Sequence, residues 1–178
     1  SNGWKRMRYE YDLVSKKVKY VGYQEGQADQ WLHKYRYDGM NRLVEVQTSR
    51  DGWYWERDAW YKYYLHRVLG RVMFGERLVQ GLDKVYTLNG WVKGENAWRL
   101  DSVLDLGQDG RIGGVYQYVA KDVMGYELKY FSGDYKAVGL YSTSSFSNFV
   151  SLYNGNIAMS VLQQDTMEVM GRRYRYDA

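Results

Sequence analysis

The chain has 178 residues, 45% of them apolar, and a net charge of +4 in which basic and acidic residues are interspersed. That apolar share excludes a disordered segment, and the interspersed charge excludes the basic stripe of a nucleic-acid binder. No run approaches the roughly 18 apolar residues of a membrane-spanning helix, and without Cys there is no disulfide or thiolate chemistry.

Twenty Tyr, 7 Trp and 19 Gly with no Pro favour strands joined by tight turns. Aromatic side chains suit half-buried pleated surfaces, glycine supplies the turns, and proline would remove a ladder N–H. The predicted fold class is all-β, built of tandem antiparallel hairpins.

In chain order, Tyr9-Glu10-Tyr11-Asp12 recurs as Tyr35-Arg36-Tyr37-Asp38 and as Tyr61-Lys62-Tyr63-Tyr64, a step of 26 residues each time. Two tyrosines flanking one charged residue read as a strand with rings on one face and Glu10, Arg36 or Lys62 on the other. Asp12 and Asp38 fall where the chain turns, and Asp38-Gly39-Met40-Asn41-Arg42 leads into the alternating Leu43-Val44-Glu45-Val46. The same step brings Gly26 onto Gly52, where Asp51-Gly52 is a hairpin-turn dipeptide. Twenty-six residues thus hold two strands and two turns, one hairpin unit per repeat.

Regular repeats run over about 9–75, and looser hairpins and loops over about 76–178, within one segment. There the turn signals are Asn89-Gly90, Asp109-Gly110 and Asn154-Gly155, and Tyr126-Glu127-Leu128-Lys129-Tyr130 alternates as a strand. Only 97–104 and the Ser-rich 142–151 invite a helix, the latter equally a loop. A last copy, Tyr174-Arg175-Tyr176-Asp177, closes the chain out of phase. No signal-peptide pattern opens the sequence, and its end inside a motif reads as an excised segment of a longer array.

Tyr35 to Leu43 resembles the YD repeat of RHS proteins and teneurins, and longer stretches resemble the bacterial RHS branch. Among these are Thr48-Ser49-Arg50-Asp51-Gly52, Val79-Gln80-Gly81-Leu82-Asp83, Tyr86 to Gly94, Tyr130 to Lys136 and Leu152 to Ile157. The family often carries Pro near His66 to Arg71, and its Asp-Pro self-cleavage motif is absent here, so no autoproteolysis is expected. The resemblance implies a curved sheet that spirals into a hollow β-shell, secreted or on the bacterial surface. Such a shell encloses or delivers a C-terminal toxin or effector. The implied partners are neighbouring repeats, the enclosed effector, and a glycan or surface protein.

The chemistry-bearing residues favour structure. Tyrosines at this spacing pair across strands, each pair contributing about 0.2–1 kcal/mol, with stacking on sugars as the alternative. Trp53, Trp55 and Trp60 are the candidate ligand platform, Trp53 and Trp55 sharing strand parity, against packing in a core or interface. His33 and His66 have no metal-ligand spacing around them. Asp101, Asp105 and Asp109 lie four apart beside Gly107 and Gly110, without a complete calcium-loop signature. Gly110-Arg111-Ile112-Gly113-Gly114 lacks the Lys-Ser/Thr of a phosphate loop, and no Gly-x-Ser-x-Gly turn offers a nucleophile. No catalytic, cofactor or metal residue is expected. Paired glycosidase carboxylates, which meet only in space, define a third possibility, a hydrolase.

Overall fold

A computed structural model describes residues 3–101, 103–137 and 141–177. Among these residues there is no helix, so neither 97–101 and 103–104 nor the 142–151 segment adopts one. Eleven strands form: β1 (Met7–Tyr11), β2 (Val18–Tyr23), β3 (Trp31–Tyr37), β4 (Leu43–Ser49), β5 (Glu56–Tyr63), β6 (Leu69–Phe74), β7 (Gln80–Tyr86), β8 (Val92–Glu95), β9 (Met124–Lys129), β10 (Met159–Gln164) and β11 (Met170–Arg173). They make one open sheet in which each strand pairs antiparallel with its sequence neighbours, in the order β1 to β11.

The 26-residue step has a local cause that repeats with it. Asp12 and Asp38 each accept backbone N–H groups through Oδ1, from Val14 and Ser15 in one turn and from Met40 and Arg42 in the next. Lys16, Asn41 and Arg67 occupy the left-handed region in the three successive turns, at φ of 60°, 59° and 78°. Short polar or solvated side chains tolerate that conformation where β-branched ones do not. The register also shifts once at each motif, between Glu10 and Tyr11, Arg36 and Tyr37, Lys62 and Tyr63, and then Val85 and Tyr86. In each case the second residue of the following strand is skipped: Lys19, Val44, Gly70 and Lys93. Such bulges bend a strand and increase its twist.

Alternation sorts the first seven strands into two faces. Tyr9, Tyr35 and Tyr61 pair with Val21, Val46 and Val72 on the tyrosine face. Glu10, Arg36 and Lys62 pair with Tyr20, Glu45 and Arg71 on the other, charged face. Aromatic rings against β-branched neighbours are favourable cross-strand pairs, as is Arg36 against Glu45, whereas the like charges of Lys62 and Arg71 are offset by Asp83 and Asp109 bound to Arg71.

From β6 onward the described residues of two long connections, 96–123 and 130–158, lie over the charged face, as the pairing of Asp109 with Arg71 and of Asp134 with Lys93 shows. Close packing there needs glycine: a Cβ on Gly81 would run into Arg71 and Asp109, and one on Gly125 into the Ala97 carbonyl oxygen. Under these connections sits most of the apolar core, including Met73, Val85, Ala97, Val119, Tyr141, Ala158 and Val161. The first five strands contribute only Val21, Leu32 and Ala59 to the fully buried apolar set among the described residues.

Candidate functional site

The second tyrosine of the motif ends its strand and ties it to the strand before. Tyr37 donates its hydroxyl to the Val18 carbonyl at 2.8 Å, and Tyr63 donates to the Leu43 carbonyl at 2.7 Å. Each acceptor is the first residue of the preceding strand. Tyr130, directly after β9, does the same to Val92, the first residue of β8. Tyr176, beyond β11, donates to Ile157. Tyr11 holds the equivalent place at the end of β1 but has no strand before it, and its hydroxyl has no partner among the described residues. Tyr11, Tyr37 and Tyr63 therefore lie on alternate strands rather than stacked on adjacent ones. Tyr9 and Tyr11 are exposed, while Tyr35, Tyr37, Tyr61 and Tyr63 are half-buried.

Asn41 and Arg42 complete the second turn, where the Arg42 guanidinium pairs with Asp38 and lies over the Tyr63 ring. Glu45 accepts from both Arg36 and Arg57; burial raises its pKa, but the two guanidiniums outweigh that and hold it below its ordinary value. The final motif is not in a strand: Tyr174 bonds Ala158 through its backbone and Ser160 through its hydroxyl, and Asp177 is exposed.

Trp53 and Trp55 precede β5 and lie in the turn after Asp51, so shared strand parity does not position them. The turn forms because Asp51 Oδ1 captures the N–H groups of Trp53 and Tyr54. Trp53 is 92% exposed. Trp55 lies over the Lys34 ammonium at 3.6 Å, and Trp60, on β5, lies near Lys62 and Arg57. The three rings make no shared platform: two cover cations on the charged face and one projects into solvent.

His33 and His66 stack on Tyr35 and Tyr64.

The most unusual chemistry lies under the 96–123 connection. Arg71 is buried and binds Asp83 through Nη1 and Asp109 through Nη2, the latter at 2.5 Å. Its guanidinium lies 4.1 Å from the Tyr116 ring, and Lys62 donates to the Tyr116 hydroxyl. Asp105 joins them by accepting the Asp109 N–H. Oxygens of Asp83, Asp105 and Asp109 lie within 4.8 Å of one another, and all three residues are buried. Asp122 completes the cluster from the end of the connection.

Four carboxylates share one guanidinium in a desolvated space, where they cannot all hold charge without cost. Burial pushes Asp83 up to about 7 and Asp122 up to about 8, the latter with further repulsion from Asp105 and Asp109. Burial opposes the Arg71 charge, but Asp83 and Asp109 hold it cationic. Asp105 Oδ1, Asp109 Oδ2 and Asp122 Oδ1 are buried without a hydrogen-bond partner. A cavity of about 270 Å³ opens beside them, with Asp101, Lys121 and Asp165 at its lining.

A second buried charge group lies further along the same face. Lys93, skipped by the register at the start of β8, points inward to Asp134 at 2.8 Å and Glu127 at 3.2 Å. Glu127 also accepts the Ser144 N–H, and Lys129 donates to the Ser144 carbonyl. These bonds clamp the 130–158 connection to β8 and β9.

Sequence spacing had offered Asp105 and Asp109 but not their partners. Arg71 is 38 residues from Asp109, and the one local signal was a pair of glycines, Gly81 and Gly107, whose missing Cβ atoms make room for Arg71.

No protein-family model matches the chain, and no curated protein matches it.

Proposed function

We propose that the chain is a wall segment of a YD-repeat, RHS-type protein of the bacterial secreted or cell-surface class, serving to enclose or deliver a C-terminal toxin or effector. In this reading it is a structural, non-enzymatic element whose partners are neighbouring repeats and the enclosed chain. The observation that supports it is the strand-end tyrosine. Tyr37, Tyr63 and Tyr130 are each tied to the first residue of the strand before, and Tyr11 carries the same group on the open edge of β1, a place suited to the acceptor of a further repeat. Open edges with unpaired backbone groups favour addition of further strands.

The test is limited proteolysis of the full-length gene product. A C-terminal segment that co-elutes with the wall and resists protease until the wall unfolds is the expected result. A C-terminal segment cleaved as fast as an unfolded control overturns the reading.

One observation favours an adhesive reading instead, in which a glycan or surface protein docks on exposed rings: Trp53 and its neighbour Tyr54 are 92% and 64% exposed in one turn. In that case Trp53→Ala abolishes binding to a glycan array while leaving the melting temperature unchanged.

A further inference from the structure

The acidic cavity has three features that a proton-sharing cluster alone leaves unexplained. Three carboxylate oxygens, on Asp105, Asp109 and Asp122, are buried without partners, and two of those residues are only 2% exposed. Their neighbours leave them unpaired: Arg71 binds Asp83 and the other oxygen of Asp109 while its Nε is also without a partner, and Lys121 is exposed at the rim. The three residues also line a space large enough for an ion and several waters.

We propose that this cavity is a calcium site, with Asp105, Asp109 and Asp122 as ligands and Asp83 offering a further oxygen from β7. The donor set is all oxygen and all carboxylate, with no His or Cys, which selects hard cations over zinc or copper. Calcium suits it better than magnesium because calcium accepts irregular coordination by six to eight oxygens, whereas magnesium demands near-ideal octahedra. Water in the cavity completes the shell. The ion replaces protons and relieves repulsion among carboxylates that one guanidinium cannot neutralise. Its structural effect is to pin the middle of the 96–123 connection, through Asp105 and Asp109, and its exit, through Asp122, onto β6 and β7.

The test is isothermal titration of the chelator-treated 178-residue chain with calcium chloride, alongside thermal melting. One calcium binds per chain, with Kd in the range of about 10⁻⁶ to 10⁻³ M. At a calcium concentration about one hundred times Kd the melting temperature rises by about 5–10 °C. Asp105→Asn or Asp122→Asn weakens uptake by about tenfold or more. Without calcium each variant melts close to the wild type, since Asn keeps the shape of Asp and has no charge to bury. Asp165→Asn, at the cavity's lining, leaves uptake within about threefold of wild type, as expected of a residue outside the ligand set. Absence of saturable uptake by the wild-type chain overturns the proposal, whatever the variants do. Undiminished uptake by Asp122→Asn overturns it also.

Discussion

The two halves of the sheet solve the same problem in opposite ways. In β1 to β4 both faces are open, and order comes from turns, cross-strand pairs and strand-end tyrosines. In β6 to β11 one face is roofed by two long connections, and order comes from an apolar core together with buried ions. A repeated sheet therefore needs little core where its neighbours supply the contacts, as expected when each unit is stabilised by those beside it. Where a connection must be held down, charge is taken out of water and specificity of placement follows from satisfying it.

The difference predicts unequal responses to mutation. Arg71→Ala leaves Asp83 and Asp109 without their cation in a buried site. Stability falls by about 3–5 kcal/mol in urea-induced unfolding, and protease sites open first in 96–123. If that loss is instead within experimental error, the roofed half does not depend on its ions and the contrast fails.

A smaller effect separates copies of the same motif. Tyr37→Phe and Tyr63→Phe each remove one hydrogen bond to a strand-start carbonyl and cost about 0.5–1.5 kcal/mol. Tyr11→Phe removes a hydroxyl without a partner among the described residues and leaves the denaturation midpoint unchanged. Equal losses at all three positions would show that the hydroxyls act through the ring environment rather than through the anchor.

The smallest effect is in acid. Asp12, Asp38 and Asp51 have pKa values held below 3.8, chiefly by backbone N–H groups. A depressed folded-state value means the carboxylate stabilises the fold above its unfolded pKa, and that contribution fades as pH falls through the folded value. Amide hydrogen exchange in the three turns should therefore be unchanged between pH 7 and 5, apart from the intrinsic rate, and lose protection below about pH 4. The groups are exposed, so the loss stays local.

How much of this was legible depends on range. Alternation and the Tyr-x-Tyr-Asp spacing disclosed the first three hairpins because their causes are local: a ring, a charge, and a carboxylate reaching two to four residues ahead. The copy at Val85-Tyr86-Thr87 was harder to see, since Thr87 replaces the aspartate while keeping the turn, accepting the Trp91 N–H through its hydroxyl. The tryptophans were misplaced because Asp51 holds its turn open further than the dipeptide suggests. Asp83, Asp105, Asp109 and Asp122 come together through connections folding back over the sheet, and no period in the sequence records that. The same holds for Lys93, whose inward direction depends on a one-residue register shift.

The tyrosine anchors also have a direction in time. Tyr37, Tyr63, Tyr130 and Tyr176 all reach back to a carbonyl 19 to 38 residues earlier in the chain. Synthesis runs from the N-terminus at about 5–20 residues per second, so every acceptor has emerged seconds before its donor. These four bonds thus give the sheet a polarity along the chain, each tyrosine facing a carbonyl made before it, so that strand addition in the order of translation meets acceptors already in place.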